Sequence, residues 1–233
     1  YADVNNDLIP DLALGRLPVR TEQDLNNVIN KTLNFANRNY RQKAVFAADR
    51  NASFDGFSDQ MLNLLPQNWQ IDKAYINQLE INGAQQSLIN NIEAGVTLTN
   101  FFGHSGLSSW SFERLFDTSD IQALNNTNKS TVVNQFGCWN TYYVMPEIYT
   151  MADYFMQLDN KGAVAVMGPS TLTESFHESK LGNLLIPRMT QNNTNIGQAI
   201  LEAKQILANQ HPDYLDVILG WTLLGDPMIK IND

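Results

Sequence analysis

The chain has 233 residues, 43% of them hydrophobic and 17% charged, the balance of an ordinary globular protein with a full core. Its formal charge of −9, with no basic run, argues against nucleic acid as a partner, since that binding draws on phosphate neutralisation by Lys and Arg. No apolar run approaches the roughly 20 residues needed to cross a bilayer, so membrane insertion is not expected either.

In chain order, Asp11 to Val19 reads as a short strand closed by Gly15 and Pro18. Thr21 to Asp24 is a helix cap with acids in the first turn, and Leu25, Val28, Ile29, Leu33 and Phe35 supply the apolar face of the helix that follows. Lys43 to Ala48 is an apolar run ending at Asp49, as in a buried parallel strand. A helix is predicted from Ser58 to Leu65, a strand from Trp69 to Ile76, and a helix from Ala84 to Ala94, stopped by Gly95. Val96 to Phe102 is strongly β-prone and runs into Gly103-His104-Ser105-Gly106. A helix near Ser119 to Leu124 precedes the strand Thr131 to Phe136, which runs into Gly137-Cys138. Then come a helix from Ile148 to Leu158, a strand from Ala163 to Gly168, a helix from Ile196 to Asn209, and the segment Gly225 to Ile231. Strands alternating with helices predict one α/β domain, with a mostly parallel sheet and helices on both faces.

Chemistry in such a sheet collects at the carboxyl ends of strands. His104 and Cys138 each lie one or two residues past a predicted strand and are 34 residues apart, room for one crossover between parallel neighbours. An imidazole beside a thiol makes the thiolate that attacks carbonyl carbon. Gly103, Gly106 and Gly137 leave space for a substrate backbone, and the N–H groups of Ser105 and Cys138 are placed to hold an oxyanion. The bland readings are a structural histidine and a small buried cysteine. Trp110 and Trp139 flank the two motifs, where they either wall a cleft or pack in the core; Trp69 and Trp221 are assigned to the core.

Phe101-Phe102-Gly103-His104-Ser105-Gly106 and Phe136-Gly137-Cys138-Trp139-Asn140 resemble the histidine and cysteine motifs of the gingipain-type cysteine peptidases, of the same clan as caspases, legumains and separases. Ile9 to Val19 is similar to the start of that family's catalytic subdomain, Lys161 to Val166 to the strand after the cysteine, and Leu223 to Pro227 to its closing motif. The resemblance implies a caspase-like three-layer α/β fold and a cysteine endopeptidase, with Cys138 as nucleophile, His104 as general base and Asp49 as the acid near the histidine, unless Arg50 takes that position. It also places Phe176 near an aromatic that lines the specificity pocket, with Asp55 and Asp59 near the selecting acid. Two positions depart from the pattern: His104-Ser105-Gly106 stands for His-Gly-Ser, and Thr141 replaces a frequent glycine.

No cofactor is needed for such chemistry, and three histidines with one cysteine argue against catalytic zinc. Asp3, Asn5 and Asp7, with Asp11, have the spacing that opens a calcium loop but lack its Gly and closing Glu. A solvated turn is the plainer reading, though the resemblance implies structural calcium. It also implies a protein or peptide substrate, and a secreted or bacterial cell-surface location. Tyr1 to Asp7 does not read as a signal peptide, and a start without methionine suggests a fragment or processed product whose precursor had an N-terminal subdomain or prodomain. Two other functions fit the same residues. One is a transpeptidase that processes sorting signals, which an added amine would reveal by trapping the acyl-enzyme. The other is an inactive scaffold, in which Cys138 would alkylate no faster than a peptide thiol.

Overall fold

The structure is a computed structural model that describes residues 2–232. Its centre is a six-stranded sheet made of β1 (Lys43–Ala48), β2 (Gln70–Tyr75), β3 (Leu98–Phe102), β6 (Thr131–Phe136), β7 (Ala163–Pro169) and β8 (Trp221–Gly225). The spatial order is β2-β1-β3-β6-β7-β8; every neighbouring pair is parallel except β7 with β8. A two-stranded ribbon, β4 (Ser109–Trp110) and β5 (Phe116–Asp117), projects after β3. The helices are α1 (Glu22–Phe35), α2 (Ala52–Leu62), α3 (Ile76–Ala94), α4 (Thr118–Ala123), α5 (Met151–Gln157), α6 (Ser175–Met189), α7 (Ile196–Gln210) and α8 (Leu215–Gly220).

Successive strand side chains point to opposite faces, and both faces are dry. Phe46, Ala48, Phe102 and Phe136 pack with residues of α2, α6 and α7 on one side. Val45, Ala47, Phe101 and Val133 pack with residues of α1, α3, α4 and α5 on the other. The result is the three-layer α/β fold expected of the sequence.

Some elements differ from expectation. The segment 11–19 forms no strand; it touches the sheet edge through a single bridge, Arg16 to Leu224, with Leu12, Leu14 and Leu17 exposed. Asn51 caps α2 through its side chain, which starts that helix six residues earlier than Ser58. Likewise α3 begins at Ile76 and is broken at Glu80, whose φ is 54°. Thr150 and Asp153 form a capping box that delays α5 to Met151. Trp110 is core rather than cleft: it is fully buried, stacks on Phe101 at 4.6 Å and donates to Gln135 Oε1 at 2.7 Å. Trp69 and Trp221 are buried as assigned.

The buried face of α1 is less apolar than its sequence suggests. Ile29 and Leu33 are exposed, whereas Asn27 and Lys31 are buried. Lys31 Nζ donates to the carbonyls of Phe155, Met156 and Lys161 at 3.1, 2.6 and 3.1 Å, satisfying acceptors at the end of α5 and in the loop that leads to β7. Lys31→Met fills the space but strands these carbonyls in the interior, so it is expected to lower unfolding free energy by about 2 kcal/mol in urea titration.

Candidate active site

Register sets the site. Phe102 of β3 pairs with Phe136 of β6, so His104 and Cys138, each two residues further on, leave neighbouring parallel strands at the same level. Gly103 N–H donates to Phe136 O at 2.9 Å, holding the two turns together. Asp49 ends β1 on the other side of β3, and its N–H donates to Phe102 O. Three strand ends thus converge: one carboxylate, one imidazole, one thiol.

The carboxylate of Asp49 is buried and bonded to the histidine. Its Oδ2 lies 2.9 Å from His104 Nδ1 and accepts the His104 backbone N–H at 3.2 Å; Oδ1 accepts from Arg50 N–H at 2.7 Å. A carboxylate acceptor calls for hydrogen on Nδ1, which leaves Nε2 as the basic nitrogen. Arg50 turns away from the ring to Glu113 and Glu80. The imidazole lies between two aromatic rings, Phe54 edge-on at 5.0 Å and the exposed Phe112 at 4.7 Å.

The glycines at the strand ends serve a closer purpose than admitting substrate. A Cβ on Gly103 would stand 2.3 Å from Asp49 Cβ, and one on Gly137 would stand 2.4 Å from Gly103 O and 2.5 Å from Ser105 Oγ. The turns pack on one another so tightly that only hydrogen fits. A Cβ on Gly106, by contrast, would meet nothing within 4 Å.

Ser105, a departure from the family pattern, has a definite place here. Its hydroxyl donates to Cys138 O at 2.8 Å and accepts from Asn140 Nδ2 at 3.1 Å, while Asn140 Nδ2 also reaches Gly137 O at 2.8 Å. The other departure, Thr141, donates to Gly168 O at 2.7 Å and ties the cysteine loop to β7. Ser105 faces Trp110 across an isolated bridge whose hydrogen bonds are made by Gly106 N–H and Ser111 N–H, so the ladder does not use Ser105 N–H. The thiol of Cys138 is half-buried and rests on Thr173, with Sγ 3.6 Å from the carbonyl and 3.8 Å from Oγ1. Trp139 adopts a φ of 63° and packs edge-on against Tyr142.

Not every residue singled out in the sequence joins this cluster. Asp55, in the first turn of α2, is held by Asn77 Nδ2 at 3.2 Å, and burial raises its carboxyl above the usual range. Asp59 is paired with Lys73 at 2.7 Å and Tyr75 Oη at 2.8 Å. Phe176 is half exposed on α6 under the Lys180 ammonium, three residues past Thr173. At the other end of the chain, Asp3 accepts N–H groups of Asn6, Asp7 and Leu8, Asn5 accepts from Asp7, and Asp7 from Ile9. Those oxygens cap their own turn. Sequence reasoning had no signal for Phe54, Phe112 or Thr173, which come from distant segments; Asn140 lay inside a quoted motif with no role attached.

Similarity to known proteins follows the same outline. Over 256 residues the chain is 24% identical to gingipain R2 and gingipain R1 of Porphyromonas gingivalis, an alignment covering 98% of this chain but 34% of R2 and 25% of one R1. The chain therefore spans about a third or less of these relatives. Among solved structures, the complex of Porphyromonas gingivalis RgpB pro- and mature domains superposes with a TM-score of 0.83 at 18% identity, over 98% of this chain and 58% of that one. The Arg-specific cysteine proteinase gingipain R gives 0.81 at 20% identity, over 98% and 57%. Separase, in its complex with securin from Saccharomyces cerevisiae, gives 0.62 at 14% identity, over 92% and 14%. These structures share the fold, and the family model of peptidase family C25 matches residues 1–232, strand-end histidine and cysteine included; the chain belongs to that family.

Proposed function

We propose that this chain is a catalytic domain that hydrolyses peptide bonds through a Cys138 thioester. The observation that carries the reading is the convergence of Asp49, His104 and Cys138 on three adjacent strand ends, with the carboxylate on Nδ1 and the cysteine at the same level on the neighbouring strand. In this mechanism the thiol leaves Thr173 and gives its proton to His104 Nε2. The sulfur then attacks the scissile carbonyl carbon, and the N–H groups of Cys138 and Ser105 receive the oxyanion. His104 returns the proton to the leaving amine as the C–N bond breaks. It next deprotonates the water that splits the thioester. Asp49 keeps the ring in the Nδ1–H tautomer and orients it.

The natural substrate is proposed to be a protein, met outside the producing cell as the family resemblance implies. An N-terminal subdomain or prodomain of the same precursor is a proposed partner, since one structural relative is a complex of pro- and mature domains. Structural calcium at Asp3, Asn5 and Asp7 stays a proposal of the family resemblance, and no step is routed through it.

The test is cleavage of a fluorogenic peptide library with varied P1 residue by the wild-type protein and by Cys138→Ala. Turnover in the first and none in the second is expected. An unchanged rate in the variant sinks the mechanism, and silence from a folded wild-type protein favours the scaffold.

A further inference from the structure

Behind the cysteine turn lies an acid that the proposed reaction does not use. Glu178 sits in the first helical turns of α6, 3% exposed. Its carboxyl accepts the Thr173 hydroxyl at 2.9 Å, and the backbone N–H of Gly137 faces it closely enough to favour its ionised form. Both donors adjoin the thiol: Gly137 is the residue before Cys138, and Thr173 is the residue on which Sγ rests. One side chain therefore grips, from below, the peptide leading into Cys138 and the segment lying against its sulfur. Burying an acid is unfavourable where packing is the only purpose, and an apolar residue of like volume fits a helix interior at less cost.

We propose that Glu178 is a positioning residue for Cys138, clamping the Gly137–Cys138 peptide and Thr173 to α6 so that the thiol and its own N–H hold one orientation toward the substrate carbonyl. Burial, with a smaller contribution from the Asp216 carboxylate of α8, pushes the Glu178 carboxyl up to about 8, against the pull of its two hydrogen bonds. Asp216 is itself engaged by His177 Nδ1 at 2.9 Å and by Glu174 N–H at 2.8 Å. At neutral pH the clamp is therefore mostly a neutral acid, and no full negative charge stands behind a forming thiolate.

The inference rests on Cys138 being the nucleophile, so its test has two arms: steady-state kinetics on the best library peptide, and the rate of Cys138 alkylation by iodoacetamide, which needs no turnover. Glu178→Ala is expected to lower kcat by about 10- to 100-fold with KM changed less than about threefold, the pattern of a misplaced reacting group. Alkylation should slow about tenfold in parallel, as the thiol loses its set geometry. Glu178→Gln, whose amide oxygen still accepts the Thr173 hydroxyl, should keep kcat within about threefold of wild type. A role limited to packing gives a different result: kcat per folded molecule unchanged, loss confined to KM, or Gln failing as badly as Ala. Any of these overturns the proposal. Should Glu178→Ala fail to fold, Thr173→Val removes one arm of the clamp alone, and a wild-type kcat with wild-type alkylation overturns it equally. If the wild-type protein cleaves no peptide, the peptidase reading falls, and equal alkylation rates in wild type and Glu178→Ala sink the positioning role separately.

Discussion

His104→Ala is expected to lower kcat on the best peptide substrate by about 10³- to 10⁴-fold, equivalent to about 4 to 5 kcal/mol of barrier, with little change in unfolding. The imidazole is asked to do two things, to take the thiol proton and to give it to the leaving amine, and no other described residue at the strand ends is placed to do either. Its structural contribution is smaller, because 46% of the side chain is exposed and its packing partners, Phe54 and Phe112, retain other support or lie open to solvent. The loss should therefore appear in kcat, with KM nearly constant. Alkylation separates the two steps: without His104 the thiol should react with iodoacetamide at the rate and pH dependence of a free peptide thiol. A variant that keeps its alkylation rate but loses turnover would assign His104 to the leaving amine alone.

The sequence made the strand-end meeting of His104 and Cys138 readable because two β-prone runs, Val96 to Phe102 and Thr131 to Phe136, each stop at a glycine. The length between them admits a crossover, and a parallel register then places both residues at one edge. From periodicity Asp49 was visible only as the polar stop of an apolar strand, and it was the family resemblance that set it near His104; that place depends on β1 being the neighbour of β3, which periodicity does not encode. The clamp was not readable at all. Its helix, Ser175 to Met189, contains Gly182 and Pro187, and its buried face includes Glu178 and Ser179, so the apolar pattern that signals a helix is diluted. Trp221 to Gly225 escaped for another reason, since a five-residue edge strand shows no period long enough to recognise.

The same comparison explains the glycines. From sequence, a glycine beside a reactive group suggests room for substrate, and the structure gives that room to neighbouring turns instead. Gly103 yields to Asp49 and Gly137 to Ser105, so the turns that carry acid, histidine and cysteine pack against one another because no side chain stands between them. Ser105 then restores a hydroxyl at the one place where it bonds to Cys138 O. The departure from the family pattern at Ser105 is thus a turn cross-linked to the cysteine.

Glu178 also makes stability depend on pH. In the unfolded chain its carboxyl loses a proton near 4.5, whereas in the fold it holds one up to about 8. Between those values folding takes up a proton, so this contribution is fully present below 4.5 and is lost as pH rises through 8, at up to about 1.4 kcal/mol per unit. Lys31 and Lys204, drawn down by burial to about 7 and about 8, act in the opposite direction, with their effect confined to pH above about 7. The window from pH 5 to 7 avoids the two lysines, the comparison of variant with wild type cancels other raised carboxyls such as Asp55, and Glu178→Gln, which cannot ionise, should flatten the wild-type fall by about 2 to 3 kcal/mol across it. Urea unfolding of both proteins at pH 5, 6 and 7 reads the difference directly. Parallel lines for the two proteins would mean that the Gly137 N–H and the Thr173 hydroxyl hold Glu178 ionised in the fold, so that a carboxylate does stand behind the thiolate and must oppose its formation.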